Sequence, residues 1–252
     1  MEKGDPMAEK TAGEKIGELR DRLAKAQHLV VLTGAGISAE SGVPTFRGQD
    51  GLWRQYRPMD LATPEAFLED PKLVWEFYNW RRELLTPLRP NPGHLGLVEL
   101  EKRLPKFTLI TQNIDGLHQV AGSRNMLELH GNLWWVRCTA CGMKEEDRTV
   151  PLPALPKCRS CGGLLRPHVV WFGEMLEPPV LNASYEAIEQ SDVMLVIGTS
   201  GTVQPAASMG VLAKRTGSLV AEINLDPTPY TDAYHISISG KAGDIIPQLV
   251  DG

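Results

Sequence analysis

The chain has 252 residues and a net charge of −5, enough for one large domain or one domain with a smaller appendage. Its 42% hydrophobic and 23% charged content is that of an ordinary globular protein, and the acidic balance argues against a coat for nucleic acid. No apolar run approaches the roughly 20 residues of a membrane helix, and the first stretch is polar without a signal-type apolar segment, so a cytoplasmic chain with neither membrane nor nucleic-acid partner is expected.

A helix is predicted over about residues 14–26. An apolar strand, Leu29–Leu32, follows and runs into Thr33-Gly34-Ala35-Gly36-Ile37-Ser38-Ala39. This is a strand entering a G-x-G-x-x-A turn. Its glycines let the backbone turn tightly and approach a pyrophosphate near a helix N-terminus. The same string also serves as a plain tight turn. Hydride-transfer enzymes place an acidic residue at the end of a second strand about 20 residues later. Here that stretch reads Asp50-Gly51-Leu52-Trp53-Arg54 and is no strand. A dinucleotide is expected, bound in some other manner.

From about residue 48 to 89 the chain is rich in aromatics and arginine and looks helical. Tyr78 and Arg81 stand at i and i+3 and share a helix face. Together they can offer a hydroxyl and a planar charged donor to a carboxylate, or they are a packed tyrosine beside an exposed arginine. Arg82, at i+4, competes on geometry alone.

A helix over Pro92–Arg103 leads to a strand, Phe107–Thr111, closed by Gln112-Asn113-Ile114-Asp115. Ligands gather at the carboxyl ends of strands in open α/β sheets, so these polar residues are candidate contacts. Asn113 or Asp115 would equally cap a helix. Leu129-His130-Gly131 presents a lone histidine, catalytic or structural.

Cys138-x2-Cys141 and Cys158-x2-Cys161 are separated by 16 residues, a zinc-ligand pattern. Four thiolates complete a tetrahedral Zn²⁺ and leave no position for water, so a structural ion is expected. Strands Val193–Ile197 and Leu219–Ile223 alternate with helices over about 180–190 and 205–215. They end in Gly198-Thr199-Ser200 and Asn224-Leu225-Asp226. Short strands alternating with helices predict an α/β fold with a Rossmann-like parallel sheet. Residues 14–47, 90–134 and 168–252 are assigned to that sheet domain. Residues 48–89 and 135–167 are assigned to a smaller inserted helical and zinc-binding domain.

In order along nearly the whole chain, these motifs resemble the sirtuin family. The match rests on Gly34-Ala35-Gly36-Ile37-Ser38, Gly42-Val43-Pro44-Thr45-Phe46-Arg47, Gln112-Asn113-Ile114-Asp115 and His130-Gly131. The four cysteines, Val170-Trp171-Phe172-Gly173-Glu174, Gly198-Thr199-Ser200 and Asn224 complete it. The resemblance implies an NAD-dependent protein-lysine deacylase. NAD is then a co-substrate cleaved between nicotinamide and ribose, and the products are free lysine, nicotinamide and O-acyl-ADP-ribose. His130 becomes the general base, a role that suits an imidazole at neutral pH. Asn113 orients the ribose and a water, Gln112 holds a ribose hydroxyl, and Asp115 helps seat the nicotinamide. Ser38 and Arg47 line the phosphate and ribose region, Phe46 shields the reactive ribose face, and Asn224 takes the adenosine ribose. Val170–Glu174 resembles the strand that pairs with the acylated peptide.

The Tyr78-x-x-Arg81 spacing, with Ala62 in Asp60-Leu61-Ala62-Thr63-Pro64, resembles the branch that removes succinyl and malonyl groups. It selects Arg81 over Arg82, whose replacement by methionine is then expected to change little. The partners implied are acylated-lysine proteins. The alternatives are an enzyme that is mainly a deacetylase, and mono-ADP-ribosyl transfer to proteins, which shares the NAD cleavage; a non-catalytic sensor of NAD or O-acyl-ADP-ribose is disfavoured, because a sensor need not keep His130 and Asn113.

Overall fold

A computed structural model describes residues 10–45 and 57–250. Phe46, Arg47 and the stretch around Asp50 lie outside the described residues. The chain opens with α1 (Ala12–Leu23), two residues ahead of its expected start. Thr11 and Glu14 form a reciprocal capping box there, Thr11 N–H donating to the Glu14 carboxylate at 2.8 Å. Strand β1 (His28–Thr33) follows, buried at every position. Full burial on both faces marks a central strand of a parallel sheet.

The other strands are β2 (Lys106–Thr111), β3 (Met126–Glu128), β7 (Val193–Ile197), β8 (Leu219–Asn224) and β9 (Ile236–Ser239). All pair in parallel, in the order β3-β2-β1-β7-β8-β9. The direction of winding therefore reverses between β1 and β7. That is the topological switch point, where doubly wound sheets bind their ligands.

Alternation along β1 divides the core. Leu29 and Val31 enter one cluster with Leu19 and Leu23 of α1, Leu97 and Leu100 of α6 (Pro92–Arg103), and Ile245, Ile246 and Leu249 of α10 (Ala242–Val250). Val30 and Leu32 enter the other. Their neighbours are Ala187 and Ile188 of α8 (Pro178–Glu189), and Ala206, Met209 and Ala213 of α9 (Ala206–Arg215). Successive strand side chains point to opposite faces, so each apolar run supplies both helix layers. No helix among the described residues is long and apolar enough to cross a membrane.

A second sheet is antiparallel, with β4 (Gly131–Cys138) between β5 (Lys144–Glu146) and β6 (Leu165–Val169). It packs with α3 (Pro58–Leu61), α4 (Pro64–Glu69) and α5 (Pro71–Leu85) around a third core. Asp70 caps α5 by accepting from Lys72 N and Leu73 N at 3.1 and 3.0 Å. Trp75, Val74 and Tyr78 carry the buried face of α5. Leu133, Val169 and Trp171, outside the cysteine-rich stretch, belong to the same core.

Candidate active site

The switch point is a contact between glycines. Gly34 N–H donates to Ile197 O at 3.0 Å and Gly36 N–H to Gly198 O at 2.8 Å. A Cβ at Gly36 would stand 2.6 Å from Gly198 Cα, and one at Gly34 would stand 2.7 Å from Gly198 O. Gly198 itself has φ +59°. Any side chain here would push the two strand ends apart. The G-x-G turn opens the short α2 (Ala35–Ala39), which carries Ser38, fully buried.

Beside it lies the loop after β2. Asn113 Nδ2 donates to Gly34 O at 3.0 Å and to Ser38 Oγ at 3.2 Å. Gln112 Nε2 donates to Thr199 Oγ1 at 3.1 Å, joining the ends of β2 and β7 across β1. Asn224 Nδ2 donates to Thr199 O at 2.8 Å from the end of β8. Ser200 is exposed, its hydroxyl 2.8 Å from Thr202 Oγ1.

The rest of the loop is tied to β4. Leu133 N–H donates to Ile114 O at 2.9 Å and Trp134 Nε1 to Asp115 O at 2.7 Å. Asp115 accepts from Leu117 N–H at 2.8 Å, at the start of α7 (Leu117–Ala121), and also from Ser38. Burial raises the Asp115 pKa despite these donors and the nearby Arg81 charge.

His130 is half-buried between β3 and β4. Its Nδ1 lies 3.0 Å from Gln112 O. A carbonyl can only accept, so Nδ1 carries the proton and Nε2 the lone pair of the neutral ring. The imidazole is thereby set to take a proton at Nε2. Gly131 follows with φ +74°, where a Cβ would meet His168 O at 2.2 Å.

Val170–Glu174 is an irregular turn after β6, with Gly173 at φ +85°. Val170 N–H donates to His130 O and Phe172 N–H to Ala62 O, both at 2.9 Å. The turn therefore lies between the histidine and α3. A residue the motifs did not single out holds it. Arg166 makes two bonds to Glu174, at 2.6 and 2.9 Å, with its guanidinium carbon 3.4 Å from the Trp171 ring centroid. Trp171 N–H in turn donates to Glu174 at 2.9 Å. A charged residue inside the apolar run 164–172 was the signal available.

Trp171 Nε1 donates to Tyr78 Oη at 2.9 Å, and Phe67 stacks obliquely on Trp171 at 5.3 Å. Ala62, Tyr78 and Arg81 are all buried. Burial pushes the Tyr78 hydroxyl up to about 12 and lowers the Arg81 pKa, a drop that Tyr78 and Asp115 oppose. Arg82 overturns its expected indifference. It is wholly buried and donates to Leu133 O (3.0 and 3.2 Å), Thr149 O (3.1 Å) and Asp147 O (2.5 Å). It is a tether of the third core, which single-helix geometry could not reveal.

Two further histidines went unmarked in the sequence. His94 and His118 lie behind the crevice with ring centroids 4.8 Å apart. His94 Nε2 approaches Ser38 Oγ at 3.4 Å, and His118 Nε2 lies 3.0 Å from Thr33 Oγ1. Burial lowers both, His94 to about 4, so the pair is neutral at pH 7.

The four cysteines converge, every Sγ within 4.8 Å of the others. Two of the separations are 3.5 Å (Cys138–Cys161) and 3.8 Å (Cys141–Cys158). A tetrahedral Zn²⁺ with Zn–S bonds of about 2.3 Å requires about 3.8 Å between sulfurs. The four residues are thus positioned to bind a zinc ion, with no ligand position left over.

A parallel sheet wound about a glycine-lined switch point, joined to a second sheet that bears a four-thiol metal site, defines a dinucleotide-binding protein with a structural zinc module. The model of the Sir2 family matches residues 34–205, and the chain belongs to that family, the sirtuins. An NAD-dependent protein deacylase of Aquifex aeolicus is 52% identical over 225 residues, 89% of this chain and 94% of the relative. A Sir2 homologue solved as an NAD complex is 49% identical with a TM-score of 0.87, covering 99% of this chain and 95% of that one. A Sir2 structure with a p53 peptide and NAD+ is 31% identical with a TM-score of 0.84, covering 94% and 97%.

Proposed function

We propose that this NAD-dependent protein deacylase removes succinyl and malonyl groups from lysine in preference to acetyl. The activity is supported by the relatives named for it and by an NAD complex of like fold. Within it, NAD occupies the crevice over Gly34–Ser38, Gln112–Asp115, Gly198–Ser200 and Asn224. Phe46 and Arg47 belong to the same site by their motif. Cleavage at the ribose releases nicotinamide and joins the acyl oxygen to the ribose carbon. His130 Nε2 then takes the proton of a ribose hydroxyl, which attacks the acyl carbon; water adds, the bond from the acyl carbon to the lysine nitrogen breaks, and free lysine and O-acyl-ADP-ribose leave. Asn113 orients the ribose and Asp115 seats the nicotinamide.

The acylated peptide lies along Val170–Glu174. The amides of residues 170, 171, 172 and 174 are donated within the chain, so the peptide pairs chiefly with carbonyls of this turn. The observation that carries the acyl preference is the buried Tyr78 and Arg81 at the Ala62–Trp171 wall. Tyr78 Oη accepts from Trp171 and keeps its own proton to donate. A carboxylate at the end of an acyl chain costs free energy to desolvate unless paired, and a buried guanidinium supplies that pairing through parallel hydrogen bonds.

The experiment is kcat/KM on acetyl, malonyl and succinyl versions of one peptide, for the native protein and Arg81→Met. Charged hydrogen bonds of about 1.5–3 kcal/mol predict a native preference of about tenfold or more for the dicarboxylic acyls. Arg81→Met should erase it mainly through KM while keeping acetyl turnover. Equal losses on all three peptides would make Arg81 structural. A native preference for acetyl would overturn the acyl assignment and leave the deacylase standing.

A further inference from the structure

Glu222 has no part in that reading, yet it is 1% exposed in the middle of β8. No ion pair reaches it among the described residues. A buried carboxylate without a cation must be compensated by hydrogen bonds. Glu222 has three hydroxyl donors: Thr228 at 2.6 Å, Thr231 at 2.5 Å and Ser237 at 3.4 Å.

Two of these donors close one turn. Thr228 N–H donates to Thr231 Oγ1 at 2.7 Å, and Thr231 N–H to Thr228 O at 3.2 Å. The turn is pressed onto the end of β7. A Cβ at Gly201 would stand 3.2 Å from Thr228 Cβ and 3.3 Å from the Tyr230 ring. Period-two alternation puts Glu222 and Asn224 on the same face of β8, with Val220 beneath them in the α8–α9 core. Asn224 grips Thr199 O, and Glu222, through the turn, backs Gly201. Two residues of one strand face thus hold the segment 198–202 from two sides.

We infer that Glu222 is a positioning residue for the adenosine end of NAD. It acts through Thr228 and Thr231 on the segment that follows β7. The sheet order assigns the end of the ligand: His130 and Asn113 gather at the tips of β2 and β3, and β8 lies on the other side of β7. The half of NAD remote from the reacting bond extends toward β8. This inference rests on the proposed NAD crevice.

ADP-ribose is the probe, because it keeps the adenosine half and needs no turnover. Its Kd is measured by calorimetry for the native protein, Glu222→Gln and Thr231→Val, alongside NAD and peptide kinetics. Both variants are expected to weaken ADP-ribose and to raise KM for NAD about tenfold, while kcat and KM for the acyl-peptide hold within about twofold. Thr231→Val removes one donor and decides the matter if Glu222→Gln fails to fold. Native-like ADP-ribose binding by a folded variant would overturn the inference even if its Tm fell, since the brace would then be purely structural. A drop in kcat with KM for NAD unchanged would overturn it too. A native protein that fails to bind ADP-ribose would instead overturn the crevice reading on which it rests.

Discussion

Single atoms set the chemistry available to His130. The Gln112 carbonyl takes the Nδ1 proton, and the lone pair is thereby assigned to Nε2, the nitrogen a general base would use. The same loop brings Asn113 to Gly34 and Ser38, so the proposed base and the amide proposed to orient the ribose are positioned by one loop. His130→Ala is expected to lower kcat for deacylation by about 10²–10⁴-fold, the range of general-base contributions. NAD or ADP-ribose binding should change little, because the crevice contacts come from the tips of β1, β2, β7 and β8. Single-turnover kinetics and calorimetry on the same preparation separate the two. Native turnover by the variant would remove His130 from the role of base.

Helix α5 shows how one element serves two purposes on adjacent residues. Arg81 faces Tyr78 and Asp115 at the crevice side, and Arg82 is spent on the carbonyls of Leu133, Asp147 and Thr149. Burial pulls Arg82 down to about 10, which still leaves it charged at pH 7. Arg82→Met would strand those buried acceptors, at about 1–3 kcal/mol for each one left unsatisfied. Urea denaturation should register a loss of about 3 kcal/mol or more, together with lower activity on every acyl-peptide. A variant of native stability would show that the surrounding carbonyls find other donors.

At the level of the whole molecule, the metal site and the proposed substrate wall share one core. Cys138 and Cys158 are buried among Val136, Leu152 and Leu165, and that cluster continues through Trp75 and Tyr78 to Trp171. Zinc binding free energy is part of folding free energy in such modules. Elemental analysis is expected to give one zinc per chain. Cys141→Ser should lose the metal, lower Tm and weaken acyl-peptide turnover, although no cysteine reaches the crevice. A purified, folded protein without zinc would overturn the assignment.

Much of this architecture is legible in the sequence. Continuous apolar runs at Leu29–Leu32 and Val193–Ile197 marked central parallel strands because both of their faces are buried. The cysteine spacing carried the metal, since two close pairs can converge on one ion from any fold that joins their hairpins. The short strands β3 and β9 and the helices α7 and α10 lacked such signals and were not foreseen. His94, His118, Arg166, Arg82 and Glu222 escaped for a different reason. Their partners stand at Ser38, Thr33, Glu174, Leu133 and Thr228. Glu174 and Thr228 return across a turn, 8 and 6 residues from Arg166 and Glu222, and the other three partners arrive only when separate elements pack. Local pattern records which face of a helix or strand is apolar, and so it determined the sheet strands and their burial, while the cysteine spacing determined the zinc site. Which buried charge meets which carbonyl or hydroxyl is decided when those elements close on one another, because a hydrogen bond needs a partner within about 3 Å and sequence separation carries no such distance.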